Sequence, residues 1–244
     1  MIVSNINENN LLQHEHVEII DSAGNSAPED ILLIKEITLN IFLESRCKQE
    51  LISSVACLPD MPDELVVGIL FDRKLINSYS DITSITYNTG EDISANVLLS
   101  NHAENCIKVW SPGCVLPKAY ENARIFELAN IFASDTILHT KTNSTHSCIL
   151  ADNDNVYICV EDIGRHNTID KAIGYALMNN ITLSDCMIFT SARISSEMVG
   201  KIANAGIPIL ISKSVPTSMA VNLARKNHIT LIGRAGSDNF CKFT

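Results

Sequence analysis

The alternation of apolar and polar residues changes period along the chain, and the changes divide it into parts. Residues 1 to about 30 are polar and rich in Asn and Glu, which predicts a mobile tail. "IKEITLNIFL" (Ile34–Leu43) alternates and is rich in β-branched residues, and "LISSVAC" (Leu51–Cys57) follows a polar turn. The pair predicts a β-hairpin, and "DITSITYN" and "ISANVLLS" around "TGED" predict a second. Between them "PDELVVGILF" predicts a helix, with Pro62, Asp63 and Glu64 suited to its first turn. From Asn101 to Ala119 the pattern dissolves into a long loop. A helix follows, with Ile125, Leu128, Ala129, Phe132 and Ala133 on one face.

The last third is more regular. "HSCIL" and "VYICV" read as strands around the turn "ADNDN". "MIFTSA", "IPILIS" and "ITLIG" are strands separated by the helical runs "SSEMVGKIANAG" and "PTSMAVNLARKN". Strands alternating with helices predict a largely parallel sheet covered on both faces. The pattern as a whole predicts a β-hairpin-rich part over 31–100, a loop over 101–119 and an α/β core over 120–244. Sites in such sheets lie at the carboxyl ends of strands. The polar turns "EDIGRHN", "SARIS", "KSVPT" and "RAGSDN" all follow strands, so they are expected to meet on one edge.

Composition narrows the function. The 244 residues are 46% apolar and carry a net charge of -10. That describes a globular protein with an acidic surface, which argues against a broad nucleic-acid footprint but not against a local basic pocket. The N-terminus has no basic start, and no apolar run is long enough to span a bilayer, so a soluble, cytoplasmic protein is expected. The eight cysteines are scattered without a C-x-x-C pair, which fits small buried hydrophobes better than a disulfide framework.

One stretch carries more chemistry than a connection requires. "VEDIGRHNTIDKAIGYAL" (Val160–Leu177) sets Glu161, Asp162, Arg165, His166 and Asn167 around Gly164. The helix after it is expected to bury Ile169, Ala172, Ile173, Ala176 and Leu177, with Asn167 as its cap and Asp170 close to a capping-box position. Capping does not call for Arg165 or His166. Two readings stand: Arg165 pairs with Glu161 or Asp162 while His166 is a satisfied core histidine, or both face a ligand.

"EDIGRHNTIDKAIG" resembles the hallmark E-D-V-G-R-H-N-x-x-D-K of the FdhD family, the formate dehydrogenase accessory sulfurtransferases. "DELVVGILFDRKLI" is similar to that family's early helix, and "THSCIL" to its G-G-x-H-x-A-A-L segment. "TSARISSEMVGKIANAGIPILISKSVPTSMAVNLA" resembles S-G-R-x-S-x-E-M-V followed by A-G-I-P-x-x-x-S-x-S-A-P-T, and "TLIGRAGSDNFCKFT" the C-terminal segment. The resemblance runs from about residue 31 to 244. It implies a three-layer α/β sandwich similar to the cytidine deaminases, as a homodimer. It also implies transfer of persulfide sulfur from a cysteine desulfurase to the molybdenum cofactor, in its bis(guanine dinucleotide) form, for formate dehydrogenase.

Position by position, the resemblance assigns cofactor contacts to His146, Asp162, Arg165, His166, Arg193, Glu197 and the turn Arg234, Ala235, Gly236, Ser237, Asp238 and Asn239. It implies no resident metal. The family's carrier loop, C-G-V-C-G, corresponds here to "SPGCVLPKA". Cys114 is its one cysteine, displaced by one residue, and it is the expected persulfide carrier, with Lys108 and Lys118 flanking it. Asn143 and Ser144 replace the paired glycines before His146, where glycine could permit close approach to a ligand. In the last turn Arg234 replaces an aromatic residue and Gly236 an Arg. Two rivals remain. A cofactor-binding chaperone without sulfur transfer would need no second Cys. A zinc deaminase would use "HAE" (His102–Glu104), but the P-C-x-x-C half of that pattern is absent.

Overall fold

A computed structural model of the chain describes residues 8–45, 48–90, 92–100 and 115–244. The first of these depart from the expected tail. After a single helical turn, α1 (Glu8–Leu11), strands β1 (Leu12–Ile20) and β2 (Ser26–Ile34) pair antiparallel in full register. The turn between them is closed by the Asp21 carboxylate, which accepts the N–H groups of Ala23 and Asn25, while Gly24 takes φ 86°. Both faces of this ribbon are largely exposed, so it lacks the one-sided alternation that betrays a strand. Its base is anchored where Leu11, Leu12 and Ile34 pack with Leu58, Leu138 and Ile163.

The two expected hairpins form: β3 (Ile37–Ser45) with β4 (Lys48–Cys57), and β5 (Ile82–Thr89) with β6 (Ile93–Leu99). They join through a parallel β3–β6 pairing into one sheet, ordered β4-β3-β6-β5. Helix α2 (Pro62–Asp72) covers it, burying Leu65, Val66 and Leu70 against Leu39, Ile41, Ala95 and Val97.

The second sheet has six strands in the order β12-β11-β10-β9-β7-β8. They are β7 (His146–Ala151), β8 (Val156–Asp162), β9 (Met187–Thr190), β10 (Ile209–Ser212), β11 (Thr230–Gly233) and β12 (Cys241–Lys242). Only β9, β10 and β11 pair parallel with one another, while β7 and β12 run antiparallel to their neighbours, so the sheet is mixed rather than largely parallel. The reason is the β7–β8 hairpin, which inserts with β7 antiparallel to both β8 and β9. Strand β8 thereby points the same way as β9–β11, and the carboxyl ends of all four share one edge.

Helices cover both faces. On one lie α5 (Arg165–Met178), α6 (Ser196–Ala205) and α7 (Ser218–Lys226), packed on Cys148, Leu150, Val160, Ile188 and Leu210. On the other lies α3 (Asn122–Asp135), packed through Ile125, Leu128, Ala129 and Phe132 on Ile149, Phe189 and Ile211. Ala133, expected on that face, is exposed. A further short helix, α4 (Ile137–Thr142), follows directly. Three of the expected layers, helix, sheet and helix, are therefore present around the six-stranded sheet. The two sheets meet where α2 crosses α5 with backbone on backbone. A Cβ on Gly68 would overlap the Asp170 carbonyl, and one on Gly174 would overlap that of Glu64. Among the described residues no helix is long and apolar enough to cross a membrane.

Candidate functional site

The four polar turns converge as expected, and backbone hydrogen bonds knit three of them to each other and to β7. Ser191 N–H donates to Ser147 O at 3.0 Å, Lys213 N–H to Thr190 O at 3.1 Å, and Arg234 N–H to Ser214 O at 3.1 Å. Ala235, buried, donates to Ser212 O at 2.9 Å, and Gly236 N–H to Asn239 O closes the last turn, leaving Ser237, Asp238 and Asn239 exposed. Arg234 adopts φ 51°, a left-handed conformation unusual for a residue with a Cβ and typical of functional turns.

The crowded stretch resolves into two sets of residues. Glu161 is buried and accepts from the Leu138 and His139 N–H groups, both at 2.8 Å, and from the Thr145 and Ser147 hydroxyls. Asp162, with no exposed side-chain surface, lies 2.7 Å from Lys171 Nζ and accepts from the N–H groups of Leu58 and Gly164 and from Asn167 Nδ2. Asn167 also donates to Ala56 O, and Asp170 pairs with Lys201 at 2.7 Å. The N-cap of α5 is Gly164, not Asn167, whose amide is committed to that bridge. Neither acid pairs with Arg165. Asp162 is a brace under the turn, and burial removes it from the contact with a guanine edge or with Arg165 expected for it.

Arg165 and His166 are left half-exposed at the start of α5. His166 Nε2 lies 3.5 Å from Glu197 Oε2, at ion-pair range, but makes no hydrogen bond among the described residues. Burial, reinforced by Lys201 and Arg165, holds its pKa below the usual imidazole value. His146, the first residue of β7, has its pKa lowered by burial and then by Arg165 and His139. Both rings are therefore biased toward the neutral form.

Cations distinguish this edge. Each turn carries one: Arg165 after β8, Arg193 after β9, Lys213 after β10 and Arg234 after β11. None of the four has a carboxylate partner among the described residues; Arg124, Lys118, Lys171 and Lys201 are ion-paired, while Arg73, Arg225, Lys226 and Lys242 elsewhere also lack an ion pair among those residues. Lys213, passed over in the sequence, sits 5.5 Å above the Phe132 ring and lines a cleft of 410 Å³ with His139, His146, Ser191 and the segment Asn143–Thr145. Its one sequence signal was its place directly after a strand. Asn143, in place of glycine, takes φ 56° as the C-cap of α4, a position that asparagine tolerates best after glycine.

Cys114, Lys108 and the His102–Glu104 segment lie outside the described residues. Lys118 is engaged with Asp185 at 2.7 Å, near the amino end of β9. Among the described cysteines Cys57, Cys148, Cys159 and Cys186 are buried. Burial raises all four thiols, those of Cys57, Cys159 and Cys186 to about 12, so none is a ready thiolate at neutral pH.

Residues 34–244 match the FdhD/NarQ family. The chain belongs to that family. An FdhD/NarQ relative, "Protein FdhD" of Methanocaldococcus jannaschii, is 32% identical over 219 residues, covering 88% of this chain and 89% of its own. The "Sulfur carrier protein FdhD" of Geobacillus kaustophilus is 29% identical, covering 86% and 88%. The fold is similar to a crystal structure described as a formate dehydrogenase accessory protein from Desulfotalea psychrophila, with TM-score 0.80 and 24% identity over 96% of this chain and 97% of that one.

Proposed function

We propose that this chain is a sulfur carrier in the maturation of formate dehydrogenase. In this reading it takes persulfide sulfur from a cysteine desulfurase on Cys114 and passes it to the molybdenum cofactor, in its bis(guanine dinucleotide) form, held as a client for the dehydrogenase's catalytic subunit. The observation that carries the cofactor half is the row of four cations, one per turn, without carboxylate partners among the described residues, in a protein of net charge -10. Leaving cations unpaired on an acidic protein favours a polyanionic ligand. Arg165, Arg193 and Arg234 offer planar forks to phosphate or carbonyl oxygens. His146 and His166, biased neutral, offer one donor or one acceptor at each ring nitrogen.

The carrier half rests on the relatives' printed names and on the place of Cys114 in the stretch that resembles the family's carrier loop; four of the five described cysteines are buried, and Cys241 is half-buried. In the loading step the Cys114 thiolate attacks the outer sulfur of the donor's persulfide. A new S–S bond forms on Cys114, the donor's S–S bond breaks, and the donor leaves as a thiolate, with no net oxidation. The reduction of the family's paired cysteines to Cys114 favours a second reading, a cofactor-binding chaperone that passes no sulfur.

Intact-protein mass spectrometry after incubation with a cysteine desulfurase and cysteine separates the two. One added sulfur atom on the native chain, absent from Cys114→Ser, is the expected result. No added sulfur leaves the chaperone reading, and equal sulfur on both moves the carrier to another cysteine.

A further inference from the structure

We infer that the cleft between α3–α4 and the ends of β7, β9 and β10 is a phosphate subsite, with Lys213 as its counter-charge. This inference rests on the cofactor reading above and adds a residue and a ligand group to it.

The cleft lies across the sheet edge from Arg165. Lys213 stacks over Phe132, which belongs to the α3 face, whereas Arg165 opens α5 on the opposite face. His146 lines the cleft and is paired in register with Asp162, three residues before Arg165. The lining is Phe132, Thr136, His139, Asn143–His146, Ser191 and Lys213, which includes one cation, several hydroxyls and no carboxylate. Such a lining is unusual on a chain with 28 acidic against 18 basic residues. The nearby acid, Glu161, is buried and accepts from two N–H groups and two hydroxyls, and it is not part of the cleft lining.

The ring geometry fits as well. His139 Nδ1 is 2.7 Å from Thr145 O and must donate to it, which fixes the tautomer of the neutral ring with its proton on Nδ1. An ammonium resting on an aromatic face, with no carboxylate partner among the described residues, gives up little to meet a phosphate.

The test uses inorganic diphosphate as probe on the full chain, by calorimetry and by NMR of the histidine rings. Lys213→Met should weaken diphosphate binding about tenfold or more, a change of about 1.4 kcal/mol. Lys213→Arg should retain most of the affinity. Lys226→Met, an equal loss of charge on exposed α7, should leave it within about twofold. His139 and His146 resonances should move on titration of the native chain. Equal affinity for native and Lys213→Met protein, equal losses for Lys213→Met and Lys226→Met, or unmoved histidine signals would overturn the assignment. Sulfur loading on Cys114 is scored separately. Loading with an unaffected Lys213→Met removes the subsite and keeps the carrier. Diphosphate binding lost in Lys213→Met, without loading, keeps the subsite and removes the carrier.

Discussion

Lys171 Nζ lies 2.7 Å from Asp162 Oδ2, and neither side chain has any exposed surface. The contact is an ion pair by distance, although its angles are not those of a hydrogen bond. Asp162 in turn holds Gly164, Asn167 and the chain at Leu58, so the pair fixes the turn that presents Arg165 and His166. Removing one partner leaves a buried charge. Lys171→Met should destabilise the protein by about 3–5 kcal/mol in urea unfolding. The double variant Asp162→Asn/Lys171→Met should lose less than the single one, and an equal or larger loss would show that the charge is not the cause.

The helix crossing gives a second prediction. Gly68→Ala and Gly174→Ala each push a methyl into a backbone carbonyl, and neither helix can yield without lifting from its sheet. Each should cost about 1–3 kcal/mol or more, read as a fall in Tm. Gly200→Ala, where a Cβ meets nothing, should not lower it.

Arg165→Ala should weaken binding of a guanine nucleotide by about 1.5–3 kcal/mol, the worth of a hydrogen bond to a charged group. Calorimetry at fixed salt reads this directly. Unchanged affinity would exclude Arg165 from the site while leaving the fold untouched, because no brace in the turn runs through its side chain.

The histidines set a pH dependence. The pKa values of His146 and His166 are lowered in the folded protein, so protonation favours the unfolded chain. Their contribution to stability is present above the usual imidazole value of 6.5 and is lost as pH falls through the lowered folded values. His146→Asn and His166→Asn should each flatten the stability profile below about pH 6.5. NMR titration should give a midpoint below 6.5 for both rings, and a midpoint above it would reverse the sign.

Much of the core was legible because its signals are local. The strand runs "MIFTSA" and "IPILIS" and the glycine stop at Gly206 are written in neighbouring residues, and the edge where the turns meet follows from them. The ribbon over 12–34 was hidden because both its faces meet water, which erases the period that marks a strand. The mixed order of the sheet was hidden because a hairpin signal in "HSCIL" and "VYICV" does not say which strand lies next to β9. Asn167 and Asp162 were misread for a related reason. Their partners, Ala56 and Leu58, are more than a hundred residues away and brought near only by the fold. Lys213 was visible as a residue, but its lack of an acid partner among the described residues is a property of the assembled surface.

The row places four cations along one edge of a chain whose net charge is -10. A polyanion diffusing past is turned toward that edge before it touches, and like charge elsewhere repels it from unproductive encounters. Capture should therefore be oriented as well as fast. Added salt should slow arrival much more than departure, because screening blunts the long-range pull while a docked phosphate keeps its short-range contacts.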